Sequence, residues 1–65
     1  MELLIWEART EKNITLDKLS ELTGISRSAL SNYENGIRYP NMEQMERISK
    51  SLGIRIQKLY ISKYK

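Results

Sequence analysis

The tetrapeptide Thr23-Gly24-Ile25-Ser26 constrains this chain more than any other part of it. On both sides of it the apolar residues recur at helical spacing and never alternate strictly for long. Gly24 supplies a stop for the helix before it, and Ser26 supplies an N-cap for a helix after it. Two short helices are thus separated by a tight turn and nothing else, which leaves their axes crossing rather than running side by side.

That spacing is the spacing of a helix-turn-helix, over about residues 15–35. Upstream, residues 3–12 read as a first helix with Leu4, Ile5 and Ala8 on its apolar side, broken by Asn13-Ile14-Thr15. Thr15 is a second N-cap, Asp17 suits the first turn that follows it, and Leu16, Leu19 and Leu22 form the stripe of that helix. Asn35-Gly36 closes the helix opened by Ser26. After Ile37-Arg38-Tyr39-Pro40, Asn41 with Gln44 three positions on reads as a capping box for a fourth helix. Its stripe is Met42, Met45, Ile48 and Leu52, with both methionines taken as core filler, and Gly53 stops it. Residues 54–65 begin with a strand-like alternation at Ile54 and Ile56, but Ile56, Leu59 and Tyr60 also fit one helical face, and a short fifth helix is expected. The fold class is therefore all-α, a compact bundle of about five short helices in a single domain over residues 1–65.

At about 100° per residue, Arg27, Ser31, Asn35, Ser28 and Asn32 fall within an arc of about 140°, with Ile25, Ala29, Leu30 and Tyr33 opposite. Ser and Asn are weak helix formers, and a merely solvated face ordinarily favours Glu, Lys, Gln and Arg. Short polar side chains suit another task. Arg pairs with guanine O6 and N7, Asn with adenine N6 and N7, and Ser with phosphate or base, and their small size lets a helix approach a groove closely.

Composition removes most competing chemistries. With 65 residues the core is thin and no catalytic cavity is enclosed, and without Cys or His there is neither a thiolate site nor the usual general base. No enzyme, metal, cofactor or small-molecule ligand is expected. The opening residues 1–10 break their apolar run at Glu7 and Arg9, so neither a signal peptide nor a membrane span starts there, and a soluble cytoplasmic chain is expected. The net charge is +3, but residues 1–46 hold five Lys/Arg against eight Asp/Glu, whereas residues 47–65 hold six Lys/Arg and no acid. The basic excess is confined to the C-terminal segment, either a solvated end or a contact with a polyanion.

From Ile5 to Leu59, without gaps, the sequence resembles the phage repressor and Cro family of helix-turn-helix proteins, the xenobiotic-response-element-like regulators. The resemblance rests on Arg9 late in the first helix, on ITLDKLSELTGIS (Ile14 to Ser26), on LSNYENG (Leu30 to Gly36), on Pro40 after the loop, and on ISKSLGI (Ile48 to Ile54).

The resemblance implies a lambda-repressor-like domain that binds double-stranded DNA in a prokaryotic or phage nucleoid, acting as a small repressor by occupancy and binding a palindromic operator as a homodimer. Base readers would be Arg27, Ser28 and Asn32, with Ser31 adjacent. Phosphates would meet Thr15 and Leu16 at the second helix, and Asn35 and Arg38 with Tyr39 in the following loop. Arg9 and Glu34 would pair structurally between the first and third helices. Relatives that clamp a phosphate after the position of Thr15 often use Gln, where this chain has Leu16, and Ser20 and Thr23 stand where Ala and an aliphatic residue are preferred. Trp6 and the tyrosines suggest stacking on single strands; Tyr33 falls on the apolar side, and Tyr60 with Tyr64 offers an edge for a dimer. The rival class is a protein-interaction module, such as an antitoxin or an anti-repressor partner, favoured by a loop poor in cations.

Overall fold

A computed structural model describes residues 2–61. In chain order these form strand β1 (Glu2–Leu3), helices α1 (Ile5–Glu11), α2 (Leu16–Thr23), α3 (Arg27–Glu34) and α4 (Met42–Leu52), a 3-10 turn (Ile56–Leu59) and strand β2 (Tyr60–Ile61). The caps fall where side-chain chemistry places them. Thr15 Oγ1 accepts from the Lys18 amide at 3.0 Å and Ser26 Oγ from the Ala29 amide at 3.1 Å. At α4 the reciprocal bonds of the Asn41 and Gln44 capping box are both made, at 2.8 and 3.1 Å.

One apolar cluster holds these elements. Ile5 of α1, Leu19 of α2, Leu30 and Tyr33 of α3, Met45, Ile48 and Leu52 of α4 and Leu59 of the 3-10 turn pack together with Ile25. Ile5, Leu19, Leu30, Ile48 and Leu59 are fully buried. Each such burial contributes about 1.5–3 kcal/mol, so the orientation of the helices is set by a few side chains drawn from every helix.

The bundle differs from five helices at both ends. Residues 2–3 do not begin α1; they pair antiparallel with residues 60–61 in the register Glu2 with Ile61 and Leu3 with Tyr60. The Leu4 amide then donates to the Leu59 carbonyl at 2.7 Å. The expected fifth helix is a 3-10 turn followed by a strand, because extended backbone next to residues 2–3 gains ladder hydrogen bonds that a further helical turn would forgo. Two stripe residues also lie outside the core. Leu22 is exposed, since the buried arc of α2 runs through Leu16, Leu19 and Thr23 instead. Met42, expected in the core beside Met45, is 65% exposed at the first position of α4. Of the dimer edge expected of Tyr60 and Tyr64, Tyr60 is half-buried in β2 and Tyr64 lies outside the described residues.

The turn between α2 and α3 is bonded as well as packed. Gly24 adopts φ +74 with no atom near the position of a Cβ, so glycine is needed there for backbone conformation and not for space. The Thr23 hydroxyl donates to the Leu19 carbonyl at 2.8 Å and accepts from the Ile25 amide at 3.1 Å, while Ser20 Oγ donates to the Ile25 carbonyl at 2.7 Å. Both peptide groups of the buried Ile25 are therefore satisfied by α2 side chains.

Thr23→Val keeps the volume but removes the acceptor for the Ile25 amide, and should cost about 1–3 kcal/mol, the penalty of an orphaned buried donor. Thr23→Ser keeps the hydroxyl and should lose less. Urea unfolding should show the midpoint falling further for Val than for Ser, with the slope unchanged in both.

Candidate nucleic-acid interface

The front of α3 is a row of small polar groups backed by the core. Arg27 and Ser28 are exposed and Ser31 and Asn32 half-buried, while Leu30 and Tyr33 on the other side are buried. Arg27, Ser28, Ser31 and Asn32 line, with Leu16 of α2, one shallow open groove of about 340 Å³. The structure thus brings the four candidate base readers and one of the candidate phosphate residues onto a single surface.

The remaining candidates flank it. Thr15 caps α2 ahead of Leu16. Asn35 is exposed at the end of α3, and its side-chain amide donates to Ser31 Oγ at 3.4 Å. The Asn32 carbonyl accepts from the amides of Ile37 at 2.9 Å and Arg38 at 3.3 Å, which folds the next loop back against α3. Arg38 and Tyr39 are exposed on that loop, Arg38 supplying its one cation. The front itself carries a carboxylate contact: Arg27 Nε lies 3.2 Å from Asp17 Oδ1.

Behind the front, Arg9 fixes where α3 ends. Its Nε donates to Glu34 Oε2 at 2.7 Å, one terminal nitrogen donates to Glu34 Oε1 at 3.1 Å, and the other to the Ile14 carbonyl at 2.9 Å. The side chains are 12% and 9% exposed. One guanidinium joins α1, the loop between α1 and α2, and α3, and it neutralises the mostly buried Glu34 carboxylate. Tyr33 ties the other side, donating its hydroxyl to Gln44 Oε1 at 2.9 Å. It belongs to the core and not to a stacking platform. Trp6 and Tyr39 are exposed and line a separate open hollow beside the end of α3. Sequence reasoning gave no role to Ser20 and Thr23; the signal was their polarity at positions facing the turn.

Two short helices joined by a bonded tight turn, the second presenting a polar front, form a helix-turn-helix, the motif of DNA-binding regulators. A helix-turn-helix family model matches residues 7–59, and the chain belongs to that family, in its Cro/C1 type. Among curated relatives, the HTH-type transcriptional activator BcrR of Enterococcus faecalis is 43% identical over 53 residues, covering 82% of this chain and 26% of the relative. The chain spans about a quarter of that protein's length. Among solved structures, the restriction-modification controller protein C.AhdI from Aeromonas hydrophila superposes with a TM-score of 0.82 at 27% identity, over 86% of this chain and 85% of that one. The N-terminal DNA-binding domain of SinR from Bacillus subtilis gives 0.80 at 29% identity, over 94% and 90%. No helix among the described residues is long and apolar enough to cross a membrane.

Removing one member of the Arg9 and Glu34 pair leaves a mostly buried charge without its partner. Glu34→Ala should cost about 3 kcal/mol, the lower end of the range for such pairs, given the residual exposure. Arg9→Met combined with Glu34→Leu should cost clearly less than the sum of the single changes in a urea-denaturation double-mutant cycle.

Proposed function

We propose that this domain is a sequence-specific regulator of transcription that places α3 in the major groove of double-stranded DNA. Arg27, Ser28, Ser31 and Asn32 read base edges, while Thr15, Leu16, Asn35, Arg38 and Tyr39 seat the flanking phosphates. The observation that carries this reading is the shared groove of Leu16, Arg27, Ser28, Ser31 and Asn32. It is formed by the start of α2 and the polar face of α3, the parts a duplex meets when the second helix enters the groove and the first crosses the backbone. With Leu16 offering no side-chain donor, the first amides of α2 take the phosphate.

One short helix contacts too few base pairs to select a site within a genome, so the operator is an inverted repeat bound by a homodimer. Support for a protein contact beside the DNA comes from the connection between α3 and α4 and the start of α4, where Ile37, Tyr39 and Met42 expose large apolar side chains. Occupancy of such a site represses when it overlaps a promoter. The enterococcal relative is described as an activator, so the sign follows from where the operator lies and not from the domain. The exposed apolar loop also suits an interaction module of the antitoxin or anti-repressor kind, for which duplex binding would be insensitive to salt.

Selection of bound duplexes from a random pool at near-physiological salt tests the reading. It should enrich an inverted repeat. Arg27→Ala or Asn32→Ala should each cost about 1–3 kcal/mol on that duplex and relax preference at one position per half-site. Arg38→Ala should weaken all duplexes alike and lower the salt slope by about one. A folded protein that enriches nothing would redirect the search to a protein partner.

A further inference from the structure

Asp17 stands beside a groove meant for a polyanion and spends its charge on the one arginine of the reading face. The contact, 3.2 Å from Arg27 Nε to Asp17 Oδ1, is made between side chains 66% and 75% exposed. An ion pair so open to solvent does next to nothing for folding. Its effect falls on Arg27. The carboxylate offsets part of the charge by which Arg27 would attract any phosphate, and it lies on the Nε side of the guanidinium. That leaves the two terminal amino groups as the pair of parallel donors that guanine O6 and N7 require.

We propose that Asp17 is a positioning and specificity residue, holding Arg27 in orientation for a guanine while suppressing its affinity for duplex of arbitrary sequence. The proposal rests on the reading of α3 as the base-reading helix. Specificity is a difference of affinities and is gained as effectively by weakening the competitor as by strengthening the target. For a regulator among a vast excess of non-operator sites, lowering the general phosphate term matters most. Arg27 and Arg38 are the two arginines among the candidate contacts, so neutralising one removes much of that term.

The test uses Asp17→Asn, Asp17→Glu and Arg27→Ala, and Asp17→Asn combined with Arg27→Ala. Each is titrated by fluorescence anisotropy with the most enriched duplex from the selection and with a scrambled duplex of the same composition, over a range of salt. Asp17→Asn should tighten binding to the scrambled duplex by about three- to tenfold and steepen its salt slope by about 0.9, the value for one phosphate neutralised. The enriched duplex should gain less, so the ratio of affinities falls. Asp17→Glu, which keeps the charge, should restore most of the ratio. With Arg27→Ala in place, Asp17→Asn should change scrambled-duplex binding by less than about twofold, because Asp17 acts through Arg27.

Equal gains on both duplexes, or an undiminished gain in the Arg27→Ala background, would overturn the proposal; the second would mean that Asp17 repels phosphates directly. Wild-type protein that binds both duplexes alike would overturn the reading of α3 along with it.

Discussion

The fold turns on a single guanidinium. Arg9 satisfies both oxygens of Glu34 and the carbonyl of Ile14, and so ties the first helix to the end of the third and to the loop that begins the second. Apolar packing is non-directional and fixes the separation of helices better than their rotation. The planar fork adds what packing lacks, since two parallel donors accept a carboxylate in one orientation only. The rotation of α3 about its axis, and with it the direction of its polar front, follows from that constraint together with the buried Leu30 and Tyr33.

The turn between α2 and α3 adds a second constraint by a different route. Ser20 and Thr23 bond both peptide groups of Ile25, which leaves the left-handed Gly24 as the only residue of the turn with positive φ. Half of α3, Ser28, Ser31, Asn32 and Tyr33, consists of weaker helix formers, so these attachments and the core contribute to its order beside propensity. That division leaves the polar front of α3 with little structural duty. Ser28, Ser31 and Asn32 are available for recognition because Leu30, Tyr33, Ser26 and Glu34 do the holding.

Much of this was legible in the sequence for physical reasons. Thr15, Ser26 and Asn41 with Gln44 are local signals, each acting within one helical turn, and periodicity placed Leu19, Leu30, Ile48 and Leu52 in the core. The two-stranded sheet was not legible, since residues 2–3 find residues 60–61 only after the whole chain has folded, and no window along the sequence contains both. The 3-10 turn at Ile56–Leu59 satisfied the helical spacing and hid the strand that follows. Met42 kept the period but sits where α4 starts, outside the cluster. The groove was legible as a wheel, whereas its second wall, Leu16, required the crossing of two helices.

In the proposed complex, nucleic acid meets this domain along the front of α3 and the start of α2. Titration of isotopically labelled protein with duplex DNA, followed by amide chemical shifts, tests it most directly. The largest changes are expected at residues 15–17, 27–32 and 35–39, with Ile5, Ile48 and the β1 and β2 pair nearly silent. Changes concentrated on α1 and the strands, with α3 silent, would contradict it.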